Sequence, residues 1–254
     1  MVGDHKNSKI GLIIFTNMQN ISIIIPTYKE KENIFKLTKK ILNLFPYSTI
    51  FVIDDTRDLN LKNKFKSNRI KYFLRKNKRG RGSAVIYGLK KSLKNKSNNI
   101  FIEMDADFSH NPNELLKKIK YFNKNKLDLL ISSRYLQKSK IINWSVQRLI
   151  FSKLSNMLAR LLLNVGVTDY TNGFRVYSRR SVELIVQKCG KIGDGFIVLS
   201  EILLTIKLKK YKIRELPTIF VNRKRGESSV NLKLIIQSLF GIIKLYLIKI
   251  KNSE

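Results

Sequence analysis

The stretch FIEMDADFSH (residues 101–110) runs from apolar residues into three acids, Glu103, Asp105 and Asp107, at alternate positions. In an extended strand alternate residues point to the same side. The 254-residue chain carries 50 Lys and Arg against 18 Asp and Glu, a formal net charge of +32. Carboxylates gathered at the end of one short run therefore go against the composition. Working outward, ISIIIP (21–26), IFVIDD (50–55), IKYFLR (70–75) and LDLLISS (127–133) are built like IFIEMD (100–105): a short apolar run bounded by polar or turn residues. Charged helical patterns lie between them, over 30–43, 80–95 and 112–125. Strands alternating with helices predict an α/β domain with a mostly parallel central sheet. Near-continuous apolar strands predict that both faces of the sheet are covered. In such sheets ligands bind outside the carboxyl ends of the strands. Four ends would meet at that rim: Pro26-Thr27-Tyr28 with Glu30, Asp54-Asp55, Asp105-Ala106-Asp107, and Ser133-Arg134-Tyr135.

Downstream the pattern changes. A long helix over about 143–164 carries Val146, Leu149, Ile150, Leu154, Met157, Leu158 and Leu161 on one face, with Arg148, Ser152, Asn156 and Arg160 on another. A glycine-punctuated segment follows at 168–180, then a helix, a strand at 213–220 and a final helix over about 229–250. That last helix is apolar almost all round, with Lys233, Gln237, Gly241 and Lys244 as a narrow polar stripe. No apolar run approaches the roughly 20 residues of a membrane-spanning helix. The helix could pack under the main domain, lie in a membrane interface or pair with another subunit. Residues 1–19 read as a flexible N-terminal extension. The lone Cys189 excludes an internal disulfide framework and fits a reducing compartment. Two histidines and one cysteine argue against a structural zinc site.

The charge points to an anionic partner: nucleic acid, anionic lipid or a phosphorylated small molecule. A lysine-rich background composition is the plain alternative. Two carboxylates a residue apart repel each other when ionised, and a divalent cation compensates them. Mg²⁺ or Mn²⁺ commonly does so while sharing its ligand shell with substrate phosphates. Asp105 and Asp107 thus suggest a nucleotide-diphosphate site, strengthened by Asp54-Asp55 at a second strand end. No Walker-type phosphate loop is present, and RGRGSA (79–84) is only a helix N-terminus that could hold phosphate.

The ordered set Pro26-Thr27-Tyr28-x-Glu30, Asp54-Asp55, Asp105-Ala106-Asp107-x-Ser109-His110, Ser133-Arg134-Tyr135, Asp169 to Arg175 and RKRGESS (223–229) resembles the inverting glycosyltransferases of family 2, in particular the polyprenyl-phosphate mannose synthases. The resemblance runs from about residue 20 to 248. It implies a GT-A (Rossmann-like) three-layer α/β/α fold, with a catalytic domain over 20–228 and an amphipathic C-terminal helix over 229–254. It implies transfer of mannose from GDP-mannose to a polyprenyl or dolichyl phosphate, with inversion and with Mg²⁺ or Mn²⁺ bound. Carried over by position, Pro26, Tyr28, Glu30, Ile53, Asp55, Asp105 and Ala106 would hold the donor nucleotide, and Asp105 and Asp107 the metal. Arg134 and Arg148 would grip the acceptor phosphate with Ser152 beside them, and Arg223 would contact the donor diphosphate. Asp107, Arg134 and Arg148 are the catalytic candidates. A polyprenyl acceptor implies a peripheral protein on the cytoplasmic face of a membrane.

Departures from the pattern keep the donor open. Lys29 stands where Asn is usual, Asp55 leads into TRDLNL without a glycine, and Ser229 stands where a lysine is usual. A UDP-sugar polyprenyl-phosphate or polysaccharide transferase is the first alternative. A nucleic-acid-binding protein would account for the charge but not for acids at several strand ends, so nucleic acid is not the expected partner. A non-catalytic partner subunit is the third.

Overall fold

The computed structural model describes residues 20–56, 59–76, 80–222 and 232–252, with side chains of 59, 60, 62 and 232–238 excepted. The expected N-terminal extension and Arg223 lie outside the described residues. The short apolar runs form strands β1 (Ile21–Thr27), β2 (Thr49–Asp54), β3 (Ile70–Leu74), β4 (Ile100–Glu103) and β5 (Leu129–Ser133). The charged patterns form helices α1 (Lys31–Leu44), α2 (Arg81–Ser92) and α3 (Leu115–Lys124). Strand β6 (Lys140–Ile142), helix α4 (Val146–Leu163), strand β7 (Arg175–Ser178), helices α5 (Arg179–Lys188) and α6 (Ile197–Leu208), strands β8 (Ile213–Pro217) and β9 (Ile219–Val221), and helix α7 (Leu232–Lys251) complete the order.

Seven strands make one sheet in the order β3-β2-β1-β4-β7-β5-β8, and β6 pairs with β9 in a second, small sheet. All neighbours in the large sheet run parallel except β7, which is antiparallel to both β4 and β5. Alternation along each strand divides the core between the two faces. Ile24, Ile53, Phe101, Leu129 and Tyr177 pack on one side with α2, α5, α6 and part of α4. Ile23, Ile25, Val52, Ile102 and Leu130 pack on the other with α1 and α3. This is the three-layer α/β/α arrangement with a mostly parallel sheet.

Three local differences from the sequence reading have physical causes. Strand β7 is hidden in sequence because it opens on a charge. Arg175 is nevertheless fully buried, its guanidinium donating to the carbonyls of Asn172 (2.9 Å), Leu199 (2.8 Å) and Tyr170 (3.0 Å). The strand expected over 213–220 divides at Thr218, whose amide donates to Ser133 O (3.1 Å) and whose hydroxyl donates to Glu114 (2.7 Å). The chain thereby leaves the large sheet and joins β6. The single helix expected after residue 180 is two, because Gly190 takes a φ of +87° and ends the first.

Helix α7 packs against the rest of the chain, one of the three arrangements expected for it. It contacts α4 and α6, and Ile242 and Leu245 belong to the core. Gly241 is a contact point rather than part of a polar stripe: a Cβ there would lie 2.4 Å from Ile197 Cγ1. Lys244 faces solvent, and the Lys233 and Gln237 side chains lie outside the described set. Helix α4 buries Asn156, Ala159 and Leu163, while most of its expected apolar face is turned outward.

Candidate active site

Because β1, β2 and β4 are parallel neighbours, and β5 is reversed twice relative to β4 through β7, their carboxyl ends share one rim. The sequence-level expectation that four strand ends meet there is met by the topology. The β1 and β2 ends are tied by Lys29, in the left-handed region at φ 57°, whose amide donates to Thr56 Oγ1 (2.8 Å).

Asp54 turns inward, accepting from Thr56 and from the Tyr72 hydroxyl (2.7 Å). Asp55 accepts from Arg75 Nε (2.7 Å) and Nη2 (2.6 Å) and from the Gly80 amide (3.1 Å). Of the residues expected to cradle a nucleotide, Asp55 is thus held to the β3–α2 connection. The Ile53 side chain is buried in the core beside Gly88. Pro26 and Ala106 are buried, Tyr28 is exposed at the rim, and Glu30 accepts from Asn33 (2.7 Å).

At the end of β4 the acids are already engaged. Glu103 is fully buried and accepts from Arg81 Nη1 (2.6 Å) and the Tyr177 hydroxyl (2.6 Å). Asp105 accepts through Oδ1 from Arg81 Nε (2.9 Å), with Nη2 at 2.8 Å. Burial alone would raise the Asp105 carboxyl, but the Arg81 charge, then His110, hold it below the usual carboxylate range. The same acids overcome the burial penalty on Arg81 and raise its pKa. Asp107 Oδ1 accepts from the Ser109 amide (3.0 Å) and hydroxyl (2.6 Å).

His110 links this cluster to the next. Its Nδ1 accepts the Asp105 amide (2.9 Å), so in the neutral ring the proton sits on Nε2, 2.9 Å from Asn172 Oδ1. Burial is the main reason its pKa lies below the usual value, and the ring stacks on Phe174 at 4.9 Å. Asn172 in turn donates its amide to Asp169 Oδ1 (3.0 Å). Asp169 receives Arg134 in a fork, Nε to Oδ2 and Nη2 to Oδ1, both 2.8 Å.

Arg134 and Arg148 share one aromatic partner. Their guanidinium carbons lie 5.2 Å and 4.2 Å from the centre of the Trp144 ring, within cation–π range. Trp144 precedes the Ser145 cap of α4 and meets Phe220 edge-on at 5.4 Å. Arg148 Nη1 donates to Asn222 (2.9 Å), and Ser152 hydrogen-bonds the Tyr135 hydroxyl (2.7 Å). A connected set therefore runs from Asp105 through His110, Asn172, Asp169 and Arg134 to Trp144 and Arg148. Sequence reasoning named Asp105, Asp107, Arg134 and Arg148 and missed the roles of Arg81, His110, Asp169 and Trp144. His110 and Asp169 stand inside the recognised motifs, whereas Arg81 and Trp144 offered only their residue types.

Among the described residues no group of three or more His, Cys, Asp or Glu side chains forms a cage for a metal ion. Two strand-end carboxylates without such a cage suit Mg²⁺ or Mn²⁺, which keep places for substrate phosphates and water.

Residues 22–185 match the family model for Glycosyl transferase family 2. A Pyrococcus furiosus protein named dolichol-phosphate mannosyltransferase is 35% identical over 236 residues, covering 89% of this chain and 63% of the relative's own length. A Mycolicibacterium smegmatis protein named polyprenol monophosphomannose synthase is 30% identical over 233 residues, 88% of this chain and 86% of the relative. The glucosyl-3-phosphoglycerate synthase of Mycobacterium tuberculosis, solved with Mn²⁺, uridine diphosphate and glucosyl-3-phosphoglycerate, is similar in fold: TM-score 0.66, 14% identity, covering 92% of this chain and 82% of that one.

Proposed function

The chain belongs to glycosyl transferase family 2, and from that membership we propose that it moves a hexose, mannose from GDP-mannose, onto a polyprenyl phosphate at a membrane surface, with inversion. The observation that carries the reading is the continuity of the acid cluster with the arginine cluster. A site that must hold a donor diphosphate and an acceptor phosphate side by side needs carboxylates for a cation at one end and fixed positive charge at the other.

The reaction breaks the bond between the sugar C1 and the donor diphosphate and forms one between C1 and an acceptor phosphate oxygen. That oxygen is already anionic at neutral pH, so no side chain has to remove a proton. Position and charge compensation remain for the protein to supply. Arg134, whose fork is held by Asp169, and Arg148, seated on Trp144, would orient the acceptor phosphate as fixed positive charges. Asp105 and Asp107 would hold Mg²⁺ or Mn²⁺, which supplies neutralisation of the diphosphate leaving group. Buried, neutral His110 keeps the Asp105 backbone in place and is not needed as a base.

The outward apolar face of α4 supports a bilayer approach. Val146 and Leu161 are each 72% exposed and Phe240 on α7 is 63% exposed, with Ile150, Leu154, Met157 and Leu247 exposed as well. Among the described residues no helix is long and apolar enough to cross a membrane, so contact would be in-plane.

The test incubates the protein with labelled GDP-mannose, UDP-glucose or UDP-N-acetylglucosamine, polyprenyl phosphate and Mg²⁺ or Mn²⁺. Label should enter the organic phase from GDP-mannose and stop with EDTA. Asp107→Ala should abolish transfer while the far-ultraviolet circular dichroism is unchanged. Transfer from a UDP-sugar alone would move the reading to the alternative donor, and transfer insensitive to chelation would refute the role given to the acids.

A further inference from the structure

Arg81 is the side chain that neither motif nor composition explains. It is the first residue of α2, entering from the side of the rim where β3 connects to the helix. It is 13% exposed, and it lies against Asp105 and Glu103 together, with Gly173 O 3.5 Å from Nη2 and the Phe196 ring 5.7 Å away. The space for it is reserved: a Cβ on Gly173 would lie 1.7 Å from Arg81 Nη2. Glu103 is additionally fixed by Tyr177, so one of the two carboxylates that the guanidinium bridges is held from both sides.

We infer that Arg81 is a resident counter-cation of the donor site, occupying Asp105 before substrate arrives and thereby making divalent metal binding depend on the incoming diphosphate. The inference rests on the reading that Asp105 and Asp107 serve a metal and a diphosphate. Arg81 bridges two of the carboxylates at the end of β4, Glu103 and Asp105. A free divalent ion approaching Asp105 meets a cation already bonded to Oδ1 and is repelled by it. A diphosphate brings negative charge of its own. It can be met by Arg81 directly and restores the attraction for the metal. Arg81 is a positioning residue in this account: it orders the assembly of the site.

The experiment measures Mn²⁺ binding by electron paramagnetic resonance, with and without GDP or UDP, and measures GDP and UDP binding in EDTA by calorimetry. Wild type should bind Mn²⁺ weakly alone and more tightly with nucleotide. Arg81→Leu should bind Mn²⁺ alone about tenfold more tightly, and should bind nucleotide in EDTA about tenfold more weakly. Arg81→Lys, which keeps the charge, should stay near wild type in both. Removing Arg81 strands buried Glu103, so Arg81→Leu with Glu103→Gln serves as a second variant. Circular dichroism checks that each is folded, and the double variant should show the same two shifts. If Mn²⁺ affinity without nucleotide is unchanged or weaker in both folded variants, the inference is overturned while the proposed reaction stands. If wild type binds no Mn²⁺ even with either nucleotide, both fall.

Discussion

Arg134 and Asp169 form a buried ion pair beside the proposed acceptor site. Both side chains are buried, at 6% and 0% exposure, so neither charge can be left alone without cost. Arg134→Ala strands the carboxylate and is expected to cost about 3–5 kcal/mol. Arg134→Met with Asp169→Asn removes both charges and should cost less than the single change. Burial would raise the Asp169 carboxyl, but Arg134 holds it below its usual value. A carboxyl with a depressed folded-state pKa contributes stability above its unfolded value of about 3.9 and loses it as pH falls further. Without Arg134 the burial effect prevails, and protonation would relieve rather than weaken the fold. The gap between wild type and Arg134→Ala in urea unfolding should therefore narrow as pH falls, first above about 4 as the stranded Asp169 takes up a proton and then below it as wild type loses the pair; a gap independent of pH would show that the pair is not the cause. The arginine itself was legible as a strand-end residue. Its partner was not, because 35 residues separate them and nothing local marks Asp169 as the acceptor. The same holds for Arg81, whose acids lie 22 and 24 residues away.

At the scale of elements, strands β1 to β5 were legible because each is a short, largely apolar run bounded by polar residues, and period alone assigns its faces. Strand β7 was not, since its leading charge is neutralised by carbonyls that only the folded chain brings near. The helices give the sharpest contrast. Apolar spacing on α4 and α7 reads as a core face, yet sequence cannot tell whether that face meets protein or solvent. Helix α7 does both: Ile242 and Leu245 are buried, whereas Phe240 and Leu247 on the same helix are exposed. Leu245→Ala should therefore destabilise by about 2–5 kcal/mol in chemical unfolding. Val146→Ser and Leu161→Ser, on the outward face of α4, should stay within about 0.5 kcal/mol of wild type. The two serine changes should instead weaken sedimentation with lipid vesicles. A large stability loss from them would mean that this face is packed in the free protein.

For the whole molecule, the formal charge of +32 is a long-range property that the fold does not need. Composition alone left nucleic acid and anionic lipid equally plausible as partners. Under the proposed reaction the partner is lipid, and the arrangement suits it: Lys153 and Arg160 on α4 and Lys244 and Lys251 on α7 are exposed on the two helices that also expose large apolar side chains. Apolar and cationic groups on neighbouring helices would suit an in-plane approach to a bilayer, where buried apolar area and attraction to anionic headgroups act together. Each well-placed Lys or Arg near an anionic surface is worth about 1 kcal/mol, and the attraction fades within a Debye length. Binding to vesicles containing phosphatidylserine should accordingly exceed binding to phosphatidylcholine vesicles and fall as salt rises from 50 to 500 mM, on the order of tenfold or more. The apolar contribution should survive that rise, leaving a salt-resistant remainder that Val146→Ser with Leu161→Ser removes. Binding abolished entirely by salt would assign the surface to charge alone. Equal binding to both vesicle types would remove the role given to the basic residues, leaving apolar burial to bring the site to its acceptor.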